Sequence, residues 1–135
     1  MRIAVIDGQG GGIGKYVTER LRKEIPEDVE IIALGTNALA TAAMLKAGAN
    51  EGASGENAVI FTSGQVDLIV GPIGIIMANS MLGEVTPRMA EAISSSSARK
   101  ILLPVTRHNL EIAGYDPEPL PHLVDNLIKK IKEKL

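Results

Sequence analysis

Residues 2–15 read Arg2-Ile3-Ala4-Val5-Ile6-Asp7-Gly8-Gln9-Gly10-Gly11-Gly12-Ile13-Gly14-Lys15, a short apolar run that breaks into five glycines within seven positions. Residues 2–6 suit a strand covered on both faces, because a strand with one wet face would alternate apolar with polar side chains. Beyond the glycines, Ile13, Val17, Leu21 and Ile25 recur four apart with Glu, Arg and Lys between them. That is the stripe of an amphipathic helix, and Pro26 stops it. Strand, glycine turn and helix in this order predict the start of a Rossmann-like α/β domain. Missing side chains let a ligand come close to the backbone, and the N–H groups that open the helix, with its partial positive charge, suit phosphate or pyrophosphate. A tight turn with no ligand is the competing reading; the density of glycines, read as serving no packing purpose, favours the ligand.

The rest of the chain continues the alternation. Residues 29–34 form a second apolar run ending in Gly35-Thr36-Asn37, where Thr36 or Asn37 caps an alanine-rich helix to residue 47 and Gly48 stops it. Residues 50–64 are ambiguous: 58–61 reads as a short strand or as a turn of helix. Two further strands, 66–70 and 100–105, end at Gly71-Pro72-Ile73-Gly74 and Thr106-Arg107-His108-Asn109. Between them, 75–82 is apolar on almost every side and predicts a buried helix closed by Gly83. Part of it is expected to bury against a second subunit, which favours a homo-oligomer. Thr86-Pro87 opens another helix as N-cap and first residue. Residues 119–134 place Leu120, Leu123, Val124, Leu127, Ile128 and Ile131 on one helical face, with Lys129, Lys130, Lys132 and Lys134 read as a solvated face that complements the helix dipole. Alternating strands and helices predict an α/β fold, a single Rossmann-like nucleotide-binding domain over residues 1–135, with a mostly parallel sheet and helices on both faces.

Composition sets limits on function. The chain has 135 residues, a formal charge of -2, 45% apolar and 22% charged residues, one Phe, two Tyr, no Trp and no Cys. That argues against nucleic acid, whose binders need a basic face and commonly aromatic platforms. Without cysteine there are no disulfides, thiolate metal sites or thiol catalysis. The opening runs directly into strand-like sequence and no apolar stretch reaches membrane-spanning length, so no membrane partner and a cytoplasmic location are expected.

In a doubly wound sheet the ligand lies beyond the carboxyl ends of the strands, where the strand order reverses. The expected cofactor contacts are therefore Asp7, Gly8, Gln9, Gly10, Gly11, Gly12, Ile13 and Gly14, then Gly35, Thr36 and Asn37, then Gly71, Pro72, Ile73 and Gly74. The glycine spacing discriminates among loop types. A GxGxxG from Gly8 fails at Ile13, and a phosphate loop counted back from Lys15 fails at Gln9 and Tyr16, whereas GxxxGxG fits Gly8, Gly12 and Gly14.

That segment resembles the nicotinamide-cofactor turn of short-chain dehydrogenase/reductases, in which a threonine usually stands at the place of Asp7. The likeness implies NAD or NADP, with Gly8, Gly12, Ile13 and Gly14 along the pyrophosphate and Gly35 to Asn37 at the adenosine ribose. It covers the first third of the chain. Neither Tyr16 nor Tyr115 is followed four residues later by lysine and no catalytic serine can be placed, so reductase chemistry of that type is not supported. Thr36 and Asn37 offer neither a carboxylate for a ribose diol nor an arginine for a 2′-phosphate, which leaves a mononucleotide, a sugar phosphate or NADP allowed. Nearly the whole chain resembles a bacterial family known as a domain of unknown function. The residues that carry this likeness are Ile6-Asp7-Gly8-Gln9-Gly10-Gly11-Gly12-Ile13-Gly14, the run from Ala33 to Ala42, Gly71-Pro72-Ile73-Gly74 and Pro119-Leu120-Pro121-His122.

Single residues carry two readings each. Asp7 holds a ribose hydroxyl or a metal, or caps the glycine turn, and capping is preferred. Arg107 and His108 bind a substrate anion, with His108 as acid or base, or form a polar surface loop. Asn79, with Ser80, is polar within an apolar stretch and needs a partner, from a ligand or from an interface. His122 is read as packing beside the last helix's stripe. No spacing of His, Asp and Glu makes a metal site. The function this supports is binding of a nucleotide or another phosphorylated small molecule, by a cofactor-dependent oxidoreductase-like module or by a non-catalytic oligomeric subunit or sensor of such a metabolite.

Overall fold

The computed structural model describes residues 1–105 and 110–135; Thr106, Arg107, His108 and Asn109 lie outside the described residues. The chain runs β1 (Arg2–Asp7), α1 (Gly12–Glu24), β2 (Glu30–Gly35), α2 (Ala38–Ala47), β3 (Glu51–Ser54), α3 (Glu56–Ser63), β4 (Leu68–Pro72), a single 3-10 turn (Ile73–Ile76), α4 (Pro87–Ser95), β5 (Arg99–Leu103) and α5 (Leu120–Lys132). The strands lie side by side in the order β3-β2-β1-β4-β5, and every pairing is parallel. The chain winds outward from β1 through β2 to β3, returns across the sheet to β4 and winds outward again to β5. The reversal falls between β1 and β4.

Side-chain alternation along the strands explains the continuous apolar runs. Ile3 and Val5 of β1, Ile31 and Ala33 of β2, and Leu68 and Val70 of β4 pack in one core with Val17 and Leu21 of α1, Met44 of α2 and Leu127 and Ile131 of α5. Ala4 and Ile6, Ile32 and Leu34, and Ile69 point the other way, into a second core with Val59 of α3 and Met89 and Ile93 of α4. Neither face of the central strands meets water, so their middle positions are apolar and the buried polar residue at the end of β1, Asp7, is hydrogen-bonded. Each large apolar side chain fully buried in this way contributes roughly 1.5–3 kcal/mol.

Three elements differ from the sequence reading. The sheet has five strands rather than four, because Glu51–Ser54 pairs with β2 at the edge and is exposed along its whole length. An edge strand with no buried face needs no apolar run, which is why its sequence carries no strand pattern. The ambiguous residues around 58–61 belong to helix α3. The buried helix expected at 75–82 is also absent. After the 3-10 turn the chain forms a looped segment in which Asn79, Met81 and Leu82 have φ of 66°, 56° and 56° and Gly83 has 89°. Left-handed residues cannot continue a right-handed helix. Ile75 is fully buried in the second core, and Leu82 is 93% exposed. Among the described residues no helix is long and apolar enough to cross a membrane.

The reversal brings β1 and β4 so close that a Cβ on Gly71 would overlap the Ile6 carbonyl oxygen, a backbone atom that cannot swing aside. Gly71→Ala is therefore expected to lower the unfolding free energy by about 1–3 kcal/mol, the usual cost of overpacking. It should appear as a lower urea midpoint at unchanged slope. Gly12→Ala, whose added methyl meets open space, should change stability by no more than about 0.5 kcal/mol. Equal midpoints for the two variants would contradict the close approach of the strands.

Candidate functional site

A cavity of about 490 Å³ opens at the carboxyl ends of β1 and β4, on the reversal point of the sheet. Asp7, Gln9 and Ile13 line it from the β1 side, Pro72, Ile73 and Gly74 from the end of β4, and Val105 and Leu110 from beyond β5. Its remaining wall is the looped segment, through Met77, Ala78, Asn79, Ser80, Met81 and Leu82. A mostly apolar recess with a few polar groups at the switch point of a parallel sheet is where such folds place small ligands.

Asp7 is the organising side chain. It is 4% exposed at the end of β1. Its Oδ1 accepts from the Gly8 N–H at 2.8 Å and its Oδ2 from the Gly14 N–H at 2.7 Å. Gly14 is the third residue of α1, so the carboxylate closes the glycine turn and caps the helix, where the dipole favours a negative charge. The Gly11 N–H completes the turn by donating to the Gly8 carbonyl at 2.9 Å.

A residue that the sequence did not single out holds the next part of the turn. Oε1 of Glu84, at the end of the looped segment, accepts from the Gln9 N–H at 2.8 Å, the Thr36 hydroxyl at 2.6 Å and the Asn37 side-chain amide at 2.8 Å. Asn37 also caps α2, its Oδ1 accepting from the Ala40 N–H at 2.9 Å, and donates to the Gln9 carbonyl at 3.0 Å. Thr36 and Asn37, expected to meet a ribose, are thus engaged by a carboxylate of the protein itself. The hydrogen bond from Thr36, with those from Gln9 and Asn37, holds the Glu84 carboxyl below its ordinary value, although partial burial opposes the shift.

The glycines divide into two groups. A Cβ on Gly8 would collide with the Thr36 hydroxyl and come within 2.8 Å of Met81 Sδ, and one on Gly14 would lie 2.6 Å from Met44 Sδ and 2.9 Å from the Asp7 Cβ. Gly11 has φ +73° and its Cβ would lie 2.8 Å from the Ala40 Cα. These three, with Gly35 packed against Thr41 and Gly71 against Ile6, have close-packing reasons, contrary to the expectation that the turn's glycines serve no packing purpose. Gly10 and Gly12 face open space. Among the described residues nothing accepts from the N–H groups of Gly10, Gly12 or Ile13.

The other candidates scatter. Asn79 lines the cavity in a left-handed conformation. Ser80 donates its hydroxyl hydrogen to the Gly74 carbonyl, which fixes the near end of the looped segment. Arg107 and His108 lie outside the described residues. His122 is exposed, rather than packed beside the stripe of α5. Among the described residues no group of three or more His, Asp and Glu gathers as a metal site.

These features define a single doubly wound parallel α/β domain with a cavity at its switch point. The chain belongs to the DUF3842 family, a domain of unknown function whose model matches residues 2–135. A dodecameric FMN-dependent Ubix-like decarboxylase from Escherichia coli O157:H7 is similar in structure over 99% of this chain and 94% of its own, with 14% identity and a TM-score of 0.47. No curated protein matches the chain in sequence.

The lowered proton affinity of Glu84 has a consequence for stability. A carboxyl whose folded value is depressed stabilises the fold above its unfolded value, and that contribution is lost as pH falls through the folded one. The stability gap between the native protein and Glu84→Gln is expected to be full at neutral pH and to close as pH falls below the ordinary glutamate value of 4.5. Urea unfolding of both proteins between neutral and acid pH measures it. A gap independent of pH would show that the charge of Glu84 is not what the three donors hold.

Proposed function

We propose that the protein binds a phosphate-bearing small molecule of the nucleotide-cofactor class, with its phosphate on the amides opening α1 and its body in the cavity between the ends of β1 and β4. The observation that carries this reading is the pairing of a switch-point cavity, lined by Ile13, with the amides of Gly10, Gly12 and Ile13, which have no acceptor among the described residues. N–H groups at the start of a helix suit an oxyanion, and the absence of a Cβ at Gly10 and Gly12 leaves room for it to approach. Asp7, an acceptor on the cavity wall, suits a ligand hydroxyl beside that phosphate.

With Glu84 in its resting position the site favours a small ligand. A dinucleotide such as NAD or NADP, laid as the GxxxGxG spacing implies, needs Thr36 and Asn37 for its adenosine ribose, and Glu84 already engages both. A mononucleotide or a sugar phosphate needs only the β1 and β4 ends. NAD or NADP is the second reading, favoured by the spacing of Gly8, Gly12 and Gly14, and it requires Glu84 to move.

Thermal unfolding in the presence of AMP, FMN, ribose 5-phosphate, NAD and NADP tests both readings. A ligand of the native state at one hundred times its Kd adds about 2.7 kcal/mol and raises the melting temperature accordingly. Gly12→Val should leave the protein folded and abolish the shift. Absence of any shift, or an undiminished shift in Gly12→Val, would overturn the proposal, and a shift with NAD or NADP alone would favour the second reading.

A further inference from the structure

Glu84 stands in an unusual relation to its partners. A backbone N–H, a hydroxyl and a side-chain amide from three separate places, Gln9, Thr36 and Asn37, converge on one of its oxygens. All three donors are neutral, and among the described residues no lysine, arginine or histidine pairs with this carboxylate. Gly8 lies against the same oxygen, and a Cβ there would stand 3.1 Å from Oε1, so the absence of a side chain leaves room for an oxyanion. Glu84, Gln9, Thr36 and Asn37 are each only half-buried.

We infer that the Gln9 N–H, the Thr36 hydroxyl and the Asn37 side-chain amide form an oxyanion subsite that Glu84 fills in the absence of ligand, and that a second carboxylate or phosphate group, beyond the one on the amides opening α1, takes it by displacing Glu84. A cradle of neutral dipoles recognises negative charge and oxygen lone pairs, and it does not distinguish a side-chain carboxylate from a free one. Gln9 joins this subsite to the cavity, since it lines the cavity while its N–H donates to Glu84. The displaced residue sits at the end of a segment held in an unfavourable backbone conformation at Asn79, Met81 and Leu82. Met81 and Leu82 of the same segment line the cavity, which places the subsite beside it. The inference rests on the proposed function for the nature of the ligand, and the existence of the subsite is testable without that ligand.

The experiment compares Glu84→Ala with the native protein by thermal unfolding in sodium acetate and in sodium chloride at equal ionic strength and pH 7. Acetate should raise the melting temperature of Glu84→Ala above its value in chloride, because it restores the missing carboxylate, and should leave the native protein unchanged. The effect should persist in Glu84→Ala combined with Gly12→Val, which separates this subsite from the amides opening α1. No difference between acetate and chloride in Glu84→Ala, or loss of the difference in the double variant, would overturn the inference. If Glu84→Ala does not fold, Glu84→Gln retains an oxygen for the same three donors but no charge. Inorganic phosphate should then bind Glu84→Gln about tenfold tighter than the native protein, since charged hydrogen bonds are roughly twice as strong as neutral ones. Equal affinities would count against displacement. A response to acetate in Glu84→Ala without any nucleotide response in the native protein would sustain the subsite and refute the proposed function; the reverse pattern would do the opposite.

Discussion

The architecture of the site depends on one carboxylate accepting two backbone hydrogen bonds. Asp7 ends the central strand, and its oxygens take the N–H groups of Gly8 and Gly14, seven residues of chain that would otherwise be free to wander. A carboxylate bonded to backbone amides in a buried place is worth more than a neutral pair, on the order of 1.5–3 kcal/mol for each bond. The bonds draw the start of α1 against the end of β1, and this needs Gly14, where a side chain would press on the Asp7 Cβ. With α1 set in this way, Val17 and Leu21 reach the core over Ile3 and Val5. The turn is fixed by charge and the helix by burial, and each would be weaker alone.

The same carboxylate limits what the turn can bind. A helix opening with all of its amides vacant presents its full partial charge to a ligand, whereas here the third amide of α1 and the first of the turn are committed to Asp7, and that of Gln9 to Glu84. Two negative side chains stand where a bare turn would hold pyrophosphate. The remaining amides, at Gly10, Gly12 and Ile13, suit a single oxyanion on the outer side of the turn. Like charges at close range repel strongly when partly shielded from water. On the proposed function a ligand meets only these three amides and not the whole length of the turn.

Much of the fold was legible in the sequence because burial leaves a pattern. β1, β2 and β4 are apolar throughout because both of their faces are covered, and α1 and α5 carry their stripes at helical spacing. β3 left no pattern, since an edge strand exposed at every residue has no apolar requirement to record. The segment after β4 misled for the opposite reason. Its composition is that of a buried helix, but its backbone enters the left-handed region at Asn79, Met81 and Leu82, in a loop closed on itself by the Asn79 N–H donating to the Val85 carbonyl at 2.7 Å. The glycine turn was read as serving no packing purpose, yet at Gly8, Gly11 and Gly14 groups of the protein itself come close. Glu84 was invisible for a related reason. Its partners lie 75, 48 and 47 residues away, and no local spacing encodes them.

The donors around Glu84 have further partners besides it. Asn37 spends its side-chain oxygen on the Ala40 N–H and one of its two amide hydrogens on the Gln9 carbonyl, so it stays in place whatever becomes of the other hydrogen. Thr36 is held through its backbone, whose N–H donates to the Asp7 carbonyl at 3.0 Å. Gln9, at φ 50°, is fixed between Gly8 and the Asn37 amide, in a conformation that a non-glycine residue adopts only under constraint. Removing the carboxylate would leave the backbones of Gln9 and Thr36 and the side chain of Asn37 with other hydrogen bonds to hold them. Groups that keep their geometry when their partner leaves are preorganised, and they bind a replacement without first spending free energy on ordering. If Glu84 is displaced as inferred, the half of the site it closes takes a free anion in place of a tethered one.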